Sequence, residues 1–86
     1  MKYKRIPVVI DAIQFTRDNC IEVIEFTNNS ARNIVIRGGK CRCVIETQKG
    51  NHTAFEGDFI IKDTNGDFYP CNPNEFTLTY EKINQL

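Results

Sequence analysis

The side chains of this sequence best suited to chemistry are four cysteines and one histidine: Cys20, Cys41, Cys43, Cys71 and His52. Cys41 and Cys43 are separated by one residue, so on a β-strand both thiols lie on the same face. With His52 and Cys71 they could supply four ligands to zinc, although zinc ligands are usually paired as C-x2-C. Alternatively, they are buried beside Ile45, because a free cysteine behaves as a small apolar residue. We favour the second interpretation and expect four reduced, buried, metal-free cysteines and no cofactor.

Catalytic groupings are weakly represented. A nucleophilic cysteine–histidine pair would need His52 close to Cys43 or Cys71, but a histidine beside a predicted turn is usually solvated. The acidic residues close to predicted turns are of the kind that cap backbone amides: Glu46, Glu56, Asp58 and Asp63. The sequence therefore favours a protein that is not an enzyme.

The aromatic residues are concentrated after residue 54, at Phe55, Phe59, Phe68, Tyr69, Phe76 and Tyr80. Phe68 and Tyr69 are adjacent on a predicted strand and point to opposite faces, so one of them should be partly exposed. A ring near Arg37, Arg42 or Lys62 would suit a flat, anionic ligand by stacking and charge. The alternative is that the rings supply the core of a small domain.

We predict a ligand site formed by Arg5, Gln14, Arg37, Tyr69 and Asn72. Pro70 and Pro73 hold the backbone there rigid, and a preorganised site loses less entropy on binding. Gln14 and Asn72 offer paired donors and acceptors to a base edge, Tyr69 offers a ring, and Arg5 or Arg37 offers charge to a phosphate. Alternatively, Asn72 is only a helix N-cap and Gln14 only satisfies a neighbouring backbone group.

The elements that position these residues are mostly short strands. Turns at Gly38-Gly39, Gly50-Asn51 and Asn65-Gly66 separate runs of β-type residues. We predict strands at 8–15, 33–37, 40–47, 52–55, 59–62, 67–71 and 77–82. The expected fold is mainly β: a small antiparallel, partly open β-barrel or roll of six to seven strands with one α-helix. Residues 1–86 form a single domain.

The predicted helix spans residues 19–27. Asn19 is its N-cap with Glu22 at N3, a variant of the capping box. The docking face comprises Cys20, Val23, Ile24 and Thr27, widened by Ile21. Asn28-Asn29-Ser30 ends the helix, because asparagine tolerates the left-handed conformation.

A second helical feature is expected to be only one turn long. Asn72 as N-cap, Pro73 at N1 and Glu75 at N3 favour a helical start. We expect the chain then to return to a closing strand at 77–82, with Leu78 and Tyr80 on one face.

Composition and charge restrict the classes of partner. Eleven basic and eleven acidic residues cancel and are interspersed. The charge pattern of a general nucleic-acid binder is therefore lacking, which disfavours nucleic-acid binding. The chain has a basic beginning, and the apolar residues that follow are cut short by Asp11 before they reach the length of the apolar region of a signal peptide. No run approaches the roughly 18 apolar residues of a membrane span. We expect no membrane association and a cytosolic protein.

Motifs at both ends of the chain resemble a family of short proteins encoded by bacteriophages and prophages. The family start, Lys-Lys-Pro-Val-Val-Ile-Glu-Ala-x-Gln-Trp, is similar to Arg5-Ile-Pro-Val-Val-Ile-Asp-Ala-Ile-Gln-Phe15. The family end, Pro-Gly-Asp-Trp-Ile-Ile followed by Gly-Glu-x-Tyr-Pro-Cys-Lys-Pro-Asp-x-Phe and Thr-Tyr-Glu, is similar to residues 56–62, 66–76 and 79–81. The resemblance covers nearly the whole chain. Phe15 and Phe59 replace tryptophans of the family, and Asn72 and Asn74 replace a lysine and an aspartate.

The resemblance implies a phage accessory protein acting in the host cytoplasm. Small phage proteins that are not enzymes commonly act by binding, so we expect a protein that counteracts host antiviral defence by sequestering a nucleotide-derived immune signal. The expected partner is thus a small nucleotide-like ligand. Two alternatives are an inhibitor that binds a host defence protein through a sheet edge, and a structural or morphogenetic phage component. Exposed strand edges such as 33–37 also predict a homo-oligomer.

Overall fold

The computed structural model describes residues 10–80, so Arg5 and the predicted strand ends at 8–9 and 81–82 lie outside the described residues. Six strands and two helices follow one another along the chain: β1 (Asp11–Gln14), α1 (Cys20–Phe26), β2 (Ala31–Arg37), β3 (Lys40–Thr47), β4 (Gly50–Phe55), β5 (Phe59–Lys62), β6 (Phe68–Cys71) and α2 (Pro73–Thr79).

The strands form two antiparallel sheets, in the orders β1-β5-β6 and β2-β3-β4. The mainly β prediction is confirmed. Between residues 10 and 80 the strands do not close into a barrel, so the partly open barrel or roll stays a prediction. The first sheet packs on the second through β6, which lies against β3 and β4.

Two of the three predicted turns, at Gly38-Gly39 and Asn65-Gly66, are where hairpins form. The turn predicted at Gly50-Asn51 is wrong, because both residues belong to β4 and pair with Thr47 and Glu46, which places the turn at Gln48-Lys49. Gly38 and Gly39 have φ of 59° and 77°, the left-handed geometry that a two-residue hairpin loop requires and that glycine adopts without strain. In the β5–β6 hairpin, the amide of Asp63 donates to the carbonyl of Asp67 at 2.7 Å, and the amide of Gly66 donates to the carbonyl of Asp63 at 3.0 Å. Local turn chemistry therefore fixes the register of both strand pairs.

The core lies between the two sheets and α1. Along β3, alternate residues are buried, as the strand period of two requires. This confirms the predicted buried face of Cys41, Cys43 and Ile45, all at most 1% exposed. The opposite sheet and the flanking segments contribute Phe15, Ile60 and Phe68. Phe68 is buried and Tyr69 is half-buried, as predicted for neighbours on opposite faces.

Helix α1 docks through a narrower face than predicted. Val23 and Thr27 are fully buried, but Ile21 is 74% exposed; its inclusion in the docking face was wrong, because Ile21 is two residues from Val23 and therefore points away from it. The predicted cap bond is also wrong. Asn19 occupies the N-cap position without a side-chain cap bond. Instead, its side-chain Oδ1 accepts from the backbone amide of Thr16, and its side-chain Nδ2 donates to the backbone carbonyl of Gln14.

Helix α2 replaces the predicted closing strand, which is wrong for residues 77–79. Asn72 caps the helix by accepting from the amide of Asn74 at 2.8 Å, with proline in the first turn. The ring of Phe76 then stacks on Phe59 at 3.9 Å between centroids and lies 5.0 Å from Tyr80. This packing overrides the β-type alternation around Leu78, which is 87% exposed.

Candidate functional site

The outer face of the β2-β3-β4 sheet carries a concentration of basic and apolar side chains. Because Cys41 and Cys43 face the core, the residues between and beside them point outward. We use the name basic face for the five outward residues at this end of the sheet: Val35, Arg37, Lys40, Arg42 and Phe55. All five are exposed, Phe55 by 56% and Val35 by 42%.

Strand register arranges the basic face in two rows. Arg37 lies directly opposite Lys40, next to the Gly38-Gly39 turn. Arg42 lies between Val35 on one neighbouring strand and Phe55 on the other. Residues 40 and 42 are two positions apart, so the rows are separated by about 7 Å along β3. The cations Arg37 and Lys40 therefore lie about 7 Å from the row that contains the Phe55 ring and the third cation, Arg42.

A shallow recess of about 210 Å³ opens on this face. Its lining consists of four residues of the basic face together with Cys41: Arg37, Lys40, Arg42 and Phe55. Within the described part of the chain, this lining includes three cations and no carboxylate. The recess therefore suits an anion that also has an apolar surface.

The basic side chains of the recess differ from Arg17 and Arg32 in whether they form salt bridges. Arg17 lies 3.8 Å from Glu56, and Arg32 lies 3.7 Å from Glu46. Among residues 10–80, Arg37, Lys40 and Arg42 form no ion pair. Their charges are available to an external anion at no cost in broken salt bridges.

The recess is held in place by contacts behind it. Glu56 donates its amide to the carbonyl of Cys41 at 2.8 Å, and its carboxylate accepts from the amide of Cys41 at 3.3 Å. The Arg17 guanidinium reaches the hairpin turn, because a Cβ on Gly39 would lie 3.6 Å from its Nη2. These contacts anchor the turn end of the β2–β3 hairpin to the segments around Arg17 and Glu56.

The structure places the residues of the predicted ligand site in separate regions. Arg37 belongs to the basic face, whereas Tyr69 packs edge-on against His52 with centroids 5.8 Å apart. His52 pairs with Ile45, five positions along β3 from the partner of Arg37, which corresponds to about 17 Å. Arg37 and Tyr69 are therefore not brought together.

Gln14 and Asn72 lie at one end of the β1-β5-β6 sheet. Gln14 pairs with Phe59 on β5, and Asn72 directly follows Cys71, the residue of β6 that also pairs with Phe59. Gln14 donates to the carbonyl of Gly57 at 3.1 Å, and Asn72 is the N-cap of α2. Both side chains thus make the backbone contacts that the alternative interpretation described.

The sequence patterns did not indicate a role for Lys40, and they did not predict which cation lies beside the ring of Phe55. The signal that could have found them is the alternation on either side of Gly38-Gly39. A two-residue turn places Arg37 opposite Lys40 and fixes which residues share a face with Arg42.

The cysteines are all free, but they occupy two environments. Cys41 and Cys43 are buried, whereas Cys20 and Cys71 are only half-buried, so the expectation that all four are buried is wrong for the latter pair. Burial, and after it the neighbouring Cys20, raises the pKa of Cys43 from 9.0 to about 11. Burial likewise raises the pKa of Cys41 and of Cys71. The reduced, metal-free state stays a prediction that intact-mass analysis tests.

The remaining candidates for chemistry do not form a cluster. Within residues 10–80, no three side chains of histidine, cysteine, aspartate or glutamate are grouped as metal ligands. Asp58 and Asp63 accept hydrogen bonds from the amides of Phe55 and Thr64, which confirms their predicted role in turns.

Comparison of the chain with protein-family models, with curated proteins and with solved structures finds no match. None of the helices described is long and apolar enough to cross a membrane.

Proposed function

We propose that this chain is a phage accessory protein, not an enzyme, that counteracts host antiviral defence by binding a nucleotide-derived signal at the basic face. The observation that carries the proposal is the grouping of three cations that lack ion-pair partners among the described residues around one exposed ring, Phe55. The end motifs that resemble a phage family support the phage origin and a place of action in the host cytoplasm.

The chemistry of the basic face matches a nucleotide on two counts. An exposed phenylalanine ring offers a flat apolar surface for stacking a base. Arginine guanidinium groups and a lysine ammonium group form charge-assisted hydrogen bonds with phosphate oxygens. Both groups lie on one rigid sheet, so their spacing is set before the ligand arrives and less entropy is lost on binding.

A second function is favoured by the exposed edge of the same sheet. Among the strands of residues 10–80, β2 is terminal in the order β2-β3-β4, and Val35 and Ile36 on it are 42% and 62% exposed. An inhibitor could bind a host defence protein by pairing this edge with a strand of its target. The outer residues Arg37 and Arg42 would then select an acidic partner.

Binding measurements on purified protein test the first proposal. We expect nucleoside phosphates to raise the thermal midpoint and to give a saturable calorimetric isotherm. Arg42→Ala and Phe55→Leu should each weaken binding by about tenfold, the loss expected for one charge-assisted contact or one stacking contact. Phe55→Leu keeps an apolar side chain and removes only the ring.

Matched control variants separate these effects from general changes of surface. Lys62→Ala removes an exposed cation from β5, and Leu78→Ala removes an exposed apolar side chain from α2; both should bind like the original chain. The proposal is contradicted if no nucleotide binds, or if Arg42→Ala and Phe55→Leu bind as well as the controls. Binding of an acidic host protein in place of nucleotides would favour the second function.

A further inference from the structure

We infer that the basic face takes a single nucleotide unit with a terminal phosphate, a nucleoside mono- or diphosphate, in preference to a nucleoside or a cyclic dinucleotide. This inference rests on the proposed nucleotide-binding function and specifies its ligand class.

The two-row arrangement of the basic face fits one base and its own phosphate. Phe55 and Arg42 form a stacking row, and Arg37 and Lys40 form a purely cationic row next to the hairpin turn. The rows are about 7 Å apart, a step that one ribose spans between its base and its 5′-phosphate. A base stacked on Phe55 would thus direct its phosphate toward Arg37 and Lys40.

The charge of the site favours a terminal phosphate over an internal one. A phosphate monoester carries about −1.5 to −2 charges at neutral pH and presents three acceptor oxygens. A phosphodiester in a cyclic dinucleotide carries a single charge and presents two free oxygens. The two charges of a cyclic dinucleotide therefore lie on separate phosphates, whereas a monoester brings its charge to one point, opposite Arg37 and Lys40, which form no ion pair with residues 10–80.

The recess offers contacts to one nucleotide unit. Its volume of about 210 Å³ is below the roughly 300–1,000 Å³ of pockets that enclose drug-sized molecules. It also presents one exposed ring, Phe55, among the residues that line it. A second base would therefore have no stacking surface in the recess.

The test compares adenosine, AMP, ADP, inorganic phosphate and cyclic di-AMP by calorimetry on the full chain. We expect AMP or ADP to bind at least about tenfold more tightly than adenosine, phosphate alone or cyclic di-AMP. The double variant Arg37→Ala/Lys40→Ala should reduce AMP affinity to that of adenosine and leave adenosine affinity unchanged. Phe55→Leu should weaken AMP and leave phosphate unchanged.

The outcomes separate this inference from the broader proposal. If adenosine or cyclic di-AMP binds as tightly as AMP, the single-unit inference is wrong and nucleotide binding stands. If none of the nucleotide probes binds, the proposed function itself is wrong. Circular dichroism of the double variant checks its fold, and Lys62→Ala with Lys49→Ala serves as the control for loss of two exposed cations.

Discussion

Thr27 is a fully buried polar residue that connects helix α1 to strand β2. Its hydroxyl donates to the carbonyl of Val23 at 2.9 Å and accepts from the amide of Ala31 at 3.1 Å. One side chain therefore satisfies the end of the helix and the first amide of the next strand. Asn28 and Asn29, with φ of 52° and 67°, make the tight turn that brings Ala31 back to it.

Replacing Thr27 by valine should destabilise the protein by about 1–3 kcal/mol, because the amide of Ala31 loses its buried partner while the volume is nearly unchanged. Denaturant unfolding measures the difference. Thr53→Val, the same substitution at an exposed position of β4, should change stability by less than about 0.5 kcal/mol. Equal effects at both positions would mean that the hydroxyl of Thr27 has no special role.

Cys43 should make stability depend on pH in the alkaline range. Its pKa is 9.0 in the unfolded chain and about 11 in the folded one. The folded protein thus holds the thiol proton more tightly, so this contribution is fully present below pH 9 and is lost as pH rises through 11. The free energy of unfolding should fall between pH 8 and pH 11. Cys43→Ala should make this fall less steep by up to about 1.4 kcal/mol per pH unit, the slope that one proton contributes. An identical slope in Cys43→Ala would contradict the assignment.

At the scale of elements, local signals predicted most of the β-structure and failed where packing decides. The Gly38-Gly39 and Asn65-Gly66 turns are encoded by residues adjacent in sequence, so their hairpins could be read directly. Thr77, Leu78 and Thr79 alternate like a strand, and only the Phe76 ring on Phe59 shows why they are helical. The basic face could be predicted only in part, since the sequence pointed to Arg37 and Arg42 but not to Lys40. Its separation from Tyr69 depends on how two sheets pack, which no local pattern reveals.

The cap of α2 gives a direct test at this scale. Asn72→Ala should cost about 1 kcal/mol, the usual loss for an N-cap side chain, and should increase amide exchange in Pro73–Thr79 more than in β3. Asn74→Ala, the same substitution two residues later, keeps the cap and should leave α2 protected. If both variants exchange alike, the side-chain cap does not hold the helix.

At the scale of the molecule, the edge of β2, which no strand between residues 10 and 80 covers, bears on the predicted homo-oligomer. The edge is interrupted at Asn33, which has φ of 53°, and the register with β3 shifts between Arg32 and Val35. Such an irregularity limits edge pairing. It leaves a regular stretch of residues 35–37 that can pair with a second copy, and we propose that self-association uses this stretch.

Ile36→Pro tests the edge without disturbing the hairpin. Arg37 and Lys40 close a two-residue loop as a hydrogen-bonded pair, so the next pair, Ile36 and Cys41, directs its amides outward. Cys41 indeed uses its amide and carbonyl on Glu56. The amide of Ile36 then faces away from β3, and proline, which edge strands tolerate, removes that donor without breaking a hydrogen bond to β3. We expect light scattering at tens of micromolar to show an oligomer for the original chain and a monomer for Ile36→Pro.

Ile36→Val is the control, because it keeps the amide and most of the apolar surface. A monomer mass for the original chain would refute self-association, and an oligomer that persists in Ile36→Pro would place the interface away from β2.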